Sequence, residues 1–182
     1  MSRTSLAIGA SRVELVQGDI TRETVDAIGN AANARLAGGG GVDGAIHRAG
    51  GPVMMAELKA KYPNGCPTGQ AVITAAGRLN AKYVIHAVGP VYAGRPEDAD
   101  RLASAYRRSL ELCSQHRIQT VAFPSISTGV YGYPVQEAAL IALRTVVAYL
   151  REHPEITLVR FVLFDPKTFE AYAQALGSIP QH

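Results

Sequence analysis

The segment Asn30-Ala31-Ala32-Asn33, followed by Gly38-Gly39-Gly40-Gly41-Val42-Asp43-Gly44-Ala45-Ile46-His47-Arg48-Ala49-Gly50-Gly51, carries the reading of this chain. It follows an apolar run, Asp26–Asn30, that reads as a strand. Four successive glycines leave the backbone free to take positive φ and to expose its N–H groups. The residues behind them predict a helix over Val42–Ala49. Amides at a helix start, aided by the helix dipole, suit a phosphate. A flexible surface linker is also glycine-rich, but a helix bearing polar residues follows this one at once.

Asp43 falls in the first turn of that helix, where the dipole favours its ionised form. His47 is four residues on, so the two side chains share one face. A carboxylate and an imidazole so placed can hold or activate a water. The plainer alternative is a capping Asp43 and a satisfied core His47. Gly44 weighs against it, because glycine inside a helix costs about 1 kcal/mol against alanine. Something must approach the backbone closely there. Gly39, Gly41 and Gly44 also fit the dinucleotide-binding pattern. That pattern needs a strand directly before the glycines and an acidic residue ending a second strand. Here Asn30–Ala37 intervenes and Glu57 lies in a helical stretch, which excludes a nicotinamide-dependent dehydrogenase.

Outward from this segment, strand-like runs recur at Val13–Gln17, Gln70–Thr74, Tyr83–Val88, Thr120–Phe123 and Leu158–Phe164. Several are flush with Val, Ile and Phe, as in strands buried on both faces. Helices are predicted at Pro52–Lys61, Asp98–His116, Pro134–Arg151 and Pro166–Leu176. The third carries an apolar stripe from Val135 to Leu150 at three- and four-residue spacing, with Pro134 at its first position. Strands alternating with helices imply an α/β fold: a three-layer α/β/α sandwich on a mixed, mostly parallel sheet of about six strands. Residues 1–11 read as a loose leader, 12–177 as one domain and 178–182 as a tail.

The 182 residues are 47% apolar and 18% charged, as in ordinary globular domains. A formal net charge of +3 permits an anionic partner without naming one. No apolar run reaches the roughly 18 residues of a membrane span, and residues 1–11 lack the apolar core of a secretory signal. Cys66 and Cys113 have no metal-ligand spacing and read as free thiols, which fits a cytoplasmic protein.

A second loop follows the strand ending at Phe123: Pro124-Ser125-Ile126-Ser127-Thr128-Gly129-Val130-Tyr131-Gly132-Tyr133-Pro134. Its small residues can cradle a phosphate or form an ordinary turn. Tyr131 offers an aromatic face suited to a sugar. The loop lacks the P-loop lysine and the nucleophile elbow of serine hydrolases. Two phosphate-ready loops at strand ends point to a diphosphate in one crevice.

Together these segments resemble the macrodomain family, nearest to its MacroD branch. Gly18-Asp19-Ile20-Thr21, Asn30–Asn33 with Gly38–Gly51, Lys82–Pro90 and Ser125–Pro134 carry the resemblance, which runs from about Val13 to Tyr172. It implies a site for ADP-ribose and hydrolysis of its esters with Asp or Glu side chains, or of O-acetyl-ADP-ribose. It assigns Asp19, Ile20 and Phe164 to adenine and its ribose. Gly40, Gly41 and Val42, with Ser127, Thr128, Gly129 and Val130, enclose the diphosphate. Asn33 and Tyr131 meet the distal ribose, and Asn30 supports the loop. Asp43 orients or deprotonates the attacking water, or orients the ribose while the substrate's phosphate holds that water. His47 orients Asp43. Neither route needs a metal or cofactor.

Gly29 departs from the family, which has a larger apolar residue there, so a bulge or loose packing is expected. Ala34 and Arg35 replace small polar residues, and the Cys/His cluster of zinc-binding relatives is missing. The implied partners are ADP-ribose and ADP-ribosylated proteins, met by a monomer away from membranes. Two alternatives remain: a reader that binds ADP-ribose without turnover, and a hydrolase of ADP-ribosylated nucleic acid ends. The pair Asp43 and His47 favours hydrolysis over reading, and no aromatic-basic stripe for stacking bases is visible.

Overall fold

The computed structural model describes residues 1–181. Its strands are β1 (Ser5–Ile8), β2 (Ser11–Gln17), β3 (Ala27–Ala31), β4 (Ala71–Ala75), β5 (Tyr83–Ala87), β6 (Thr120–Phe123) and β7 (Leu158–Leu163). Its helices are α1 (Gly41–Gly50), α2 (Val53–Lys61), α3 (Pro96–Gln115), α4 (Val135–Glu152) and α5 (Pro166–Gly177). One sheet of seven strands runs in the order β1-β2-β7-β6-β3-β5-β4. The inner pairings are parallel, while β1 and β4 close the two edges antiparallel.

Side chains alternate across each inner strand, so each strand feeds two cores. Ala27, Ile85, Val121, Phe123, Phe161 and Leu163 face the larger core, packed with buried residues of α3, α4 and α5. Ile28, Val84, Ala122 and Val162 face the smaller one, closed by Ile46 of α1 and Met54 of α2. That is the expected three-layer sandwich, with seven strands rather than six. Asn30 is two residues beyond Ile28, and His86 two beyond Val84. Both therefore project toward the α1 layer, side by side in the β3–β5 register.

The expected loose leader is corrected. Leu6 and Ile8 are buried, β1 pairs with β2 through a turn at Gly9 (φ 59°), and Arg3 N–H donates to the Ala173 carbonyl at 3.0 Å. Four residues, Ser5–Ile8, are too short a run to announce a strand; the register with β2 makes it one. The expected frayed tail is also anchored in part. Ile179 is buried, and Arg151 Nη2 donates to the Pro180 carbonyl at 3.2 Å; His182 lies outside the described residues. Pro134 is the residue before α4 rather than its first.

Gly29 does not bulge. It pairs with Ile85 in unbroken register, and the Phe123 ring fills the space beneath it. A Cβ at Gly29 would sit 2.5 Å from Phe123 Cδ1. Phe123 stands edge-on to Tyr106 at 5.3 Å, and Phe161 meets Tyr172 at 5.3 Å. Such pairs add about 0.5–1.5 kcal/mol each beyond area burial. Substituting Gly29→Val is expected to destabilise the fold by about 1–3 kcal/mol through overpacking. Urea midpoints of G29V and of G29V with Phe123→Leu check this: the second substitution recovers part of the loss, and an unchanged midpoint in G29V would contradict it.

Candidate functional site

The cleft forms where β3, β6 and β7 end and the α1 amides begin. One lobe, a cavity of about 460 Å³, is lined by Asp19, Ile20, Gly41, Val42, Arg48 and Phe164 among others. A second, of about 350 Å³, is lined by Asn33, Asp43, Ser127, Val130 and Tyr131 among others. Gly41, Val42, Ser125 and Gly129 line both, so the lobes make one continuous cleft. Each volume lies in the range of about 300–1,000 Å³ usual for small-molecule sites.

The expected site residues converge here. Asp19, Ile20, Thr128 and Phe164 line the first lobe. Asn33, Gly40, Asp43, Ser127, Val130 and Tyr131 line the second. His47 lines neither; it stands behind Asp43, with Nε2 3.3 Å from Asp43 Oδ1. Arg48, Ala45, Ser125 and Thr168 also line the cleft and were not anticipated. Arg48 follows Gly44 by one helical turn, and only the placement of α1 over β3 and beside Ile20–Arg22 turns it toward the same lobe.

Local chemistry explains each wall. Gly40 precedes α1 and offers no side-chain cap. The first α1 amides thus have no partner inside the helix, and they open onto the cleft. Gly44 is glycine because a Cβ there would overlap the Gly39 carbonyl oxygen. The glycine loop therefore lies directly on the helix. Asn33 braces the same loop: its Nδ2 donates to the Gly38 carbonyl at 2.9 Å, and its Oδ1 accepts from Ala37 N–H at 3.1 Å.

The second loop is held from beneath by the aromatic core. Tyr106 hydroxyl accepts from Ile126 N–H at 3.0 Å, and Tyr172 hydroxyl donates to Ser125 Oγ at 2.9 Å. Ser127 takes φ 71°, a strained backbone for a residue with a side chain. Its hydroxyl secures the turn by donating to the Pro90 carbonyl at 2.8 Å. Among the described residues, the Thr128, Gly129, Val130 and Tyr131 amides have no backbone acceptor. Val130 and Phe164 leave most of their apolar surface in water, one in each lobe of the cleft.

Asp19 caps the short 3₁₀ turn Ile20–Arg22. Its Oδ1 accepts from Thr21 hydroxyl at 2.7 Å and Thr21 N–H at 2.9 Å, and these bonds lower its pKa. It stays ionised, with Oδ2 left for a ligand.

Asp43 is buried, and one of its oxygens is committed. Asn30 Nδ2 donates to Oδ1 at 2.8 Å, beside His47 Nε2. Oδ2 lies toward Gly39 at the cavity wall. Asn30, fully buried, thus holds Asp43; its side-chain hydrogen bonds go to Asp43 and His86 and, among the described residues, none goes to the loop. Behind Asn30 stands His86, expected only as part of a strand motif. Its Nδ1 is 3.2 Å from Asn30 Nδ2, and its Nε2 is 2.9 Å from Thr74 Oγ1. Burial pulls the His86 pKa down to about 4, and His47 beside it acts the same way. Burial also raises both thiols, Cys66 to about 11. No three Cys, His, Asp or Glu side chains gather as a metal site among the described residues. No helix among them is long and apolar enough to cross a membrane.

Comparison with known proteins places this geometry. The Macro domain family profile matches residues 29–142. A Macro domain-containing protein of Caldanaerobacter subterraneus is 56% identical over 167 residues, 90% of this chain and 95% of that one. An O-acetyl-ADP-ribose deacetylase of Klebsiella pneumoniae is 51% identical over 174 residues, 94% of this chain and 99% of that one. The Oceanobacillus iheyensis macrodomain with ADP superposes with a TM-score of 0.90 at 42% identity, covering 95% of each chain. The Trypanosoma brucei macrodomain in complex with ADP-ribose gives 0.85 at 40% identity, covering 91% of this chain and 69% of that one. On its sequence and on its fold, this chain belongs to the Macro domain family.

Proposed function

We propose that this protein binds ADP-ribose along the cleft and hydrolyses its esters, both O-acetyl-ADP-ribose and mono-ADP-ribosyl esters of Asp and Glu side chains. The observation that carries this reading is Asp43: a buried carboxylate with Oδ1 held by the Asn30 amide, His47 Nε2 3.3 Å away, and Oδ2 toward Gly39 at the cavity wall. A module that only reads a nucleotide has no use for such a group. The similarity to the Klebsiella pneumoniae deacetylase supports the hydrolytic reading, and the Trypanosoma brucei complex supports the ligand.

In this reading adenine enters the first lobe. Its amino group donates to Asp19 Oδ2, with Ile20 beneath and Phe164 closing over it. The diphosphate crosses the lobe junction, where free amides of α1 and of Thr128–Tyr131 donate to its oxygens. Arg48 adds positive charge. The distal ribose lies in the second lobe against Tyr131 and Asn33. Asp43 Oδ2 then accepts a hydrogen bond from the attacking water and holds it at the ester. The water adds to the ester carbonyl, the ribose oxygen leaves and takes up one of the water's protons, the other is released to solvent, and a carboxylate and free ADP-ribose result.

Two outcomes check this. Asp43→Ala lowers turnover of O-acetyl-ADP-ribose and of an acidic-residue-modified protein about 10²- to 10⁴-fold, while calorimetry still detects ADP-ribose. Unchanged turnover in D43A would remove Asp43 from the reaction. Binding without any turnover by the unsubstituted protein would leave only a reader. Asp19→Asn puts an amide donor opposite the adenine amino group while an oxygen can still cap Thr21. Its ADP-ribose affinity should fall by about 1.5–3 kcal/mol, and an unaltered calorimetric Kd would displace adenine from this lobe.

A further inference from the structure

Behind the reactive carboxylate, a chain of hydrogen bonds runs through three strands of the sheet and has a single consistent set of donors. Asp43 Oδ1 can only accept, so the Asn30 atom 2.8 Å away is its Nδ2. The second hydrogen of that amide points at His86 Nδ1, 3.2 Å away, which must then be a lone pair. A neutral imidazole with a lone pair on Nδ1 carries its proton on Nε2. That proton goes to Thr74 Oγ1 at 2.9 Å. Thr74 can accept it because its own hydroxyl donates to the Ala75 carbonyl at 3.0 Å. Every link is forced by the one before it.

One atom shows that the order is imposed rather than relaxed. Asn30 Oδ1 is buried and has no partner among the described residues. An amide left with an unsatisfied oxygen would gain by turning over if a donor faced it. His86, in this tautomer, presents none. The Asp43 carboxylate opposes the flip that would aim Asn30 Oδ1 at it, and the ring, with a lone pair at Nδ1, offers no donor to offset that cost.

We propose that His86, locked by Thr74, is the positioning residue of this site: it fixes the Asn30 amide, and through it keeps Asp43 Oδ1 occupied and Oδ2 turned to the cleft. This rests on the hydrolase reading given above. His86 does not line the cleft and is fully buried; its hydrogen-bonded route to Asp43 runs through Asn30, and its ring also stacks on His47 at 5.9 Å.

Two substitutions separate the two ends of the ring. His86→Asn offers an amide oxygen near the Nδ1 position, an acceptor for Asn30. His86→Gln reaches toward Thr74 and leaves Asn30 without that acceptor. With O-acetyl-ADP-ribose as substrate, H86Q is expected to lose about 10- to 100-fold in kcat through a misplaced carboxylate. Its calorimetric affinity for free ADP-ribose holds, and H86N keeps most of its kcat. Equal kcat in the two variants, or a loss of ADP-ribose affinity in step with kcat, overturns the proposal. A second measurement needs no variant to fold. Nitrogen-15 ring shifts of the unsubstituted protein at neutral pH should place the His86 proton on Nε2; a proton on Nδ1, or on both nitrogens, overturns it equally. An unsubstituted protein idle on O-acetyl-ADP-ribose would defeat the hydrolase reading and the catalytic consequence of His86 together. The spectrum then tells that failure apart from a wrong assignment of the ring.

Discussion

The site depends on a charge that is costly to bury. Asp43 is only 7% exposed, and an ionised carboxylate out of water must be compensated or it neutralises. Three things compensate it here. The positive end of α1 lies within its own turn, Asn30 donates from β3, and His47 stands one turn further along α1. Together they tie two layers: the helix start must meet the strand end, and the strand must place a polar side chain where a core residue would normally sit. The position of α1 over β3 is therefore set by electrostatics as well as by Ile46 and Met54 packing beneath it.

Close approach is the second constraint. Gly44 lets the Gly39 carbonyl rest on the helix, and Gly89 lets Ser127 rest on the strand end, since a Cβ at either would overlap its neighbour. The two loops thus reach the cleft as rigid walls. Ser127 keeps a strained φ because Pro90, Tyr133 and the loop itself hold it there. Preorganised amides of this kind bind anions without first giving up hydrogen bonds inside the protein. Tyr106 and Tyr172 connect this wall to the larger core. Their rings pack with Phe123 and Phe161 while their hydroxyls end at Ser125 and Ile126.

Particular residues show what could be read from the chain and what could not. The stripe on α4 and the Val- and Ile-rich inner strands were legible because their periodicity is a local property. The first strand was not, since Ser5–Ile8 has no pattern of its own and gains one only beside β2. Gly29 was misread for a related reason: its partner, Phe123, is remote in sequence and adjacent in space. Asp43 and His47 were legible as a pair because four residues is one turn of helix. His86 and Thr74 were not, because they lie on different strands, remote from Asp43 in sequence, and their hydrogen bonds reach it by way of Asn30. Arg48 stood in plain view, but a helix carries no sign of which face a cleft will use.

By itself, then, the sequence determined the layer architecture, the two glycine loops, and the acidic and imidazole groups on one helical turn. These follow from local periodicity and from residue types that only a few backbone conformations tolerate. The tertiary structure alone decided which oxygen of Asp43 is free, what holds the other, and that both loops open into one cleft. Those outcomes depend on strand order and register, and hydrogen-bond direction is settled only when every donor has met its acceptor across the sheet.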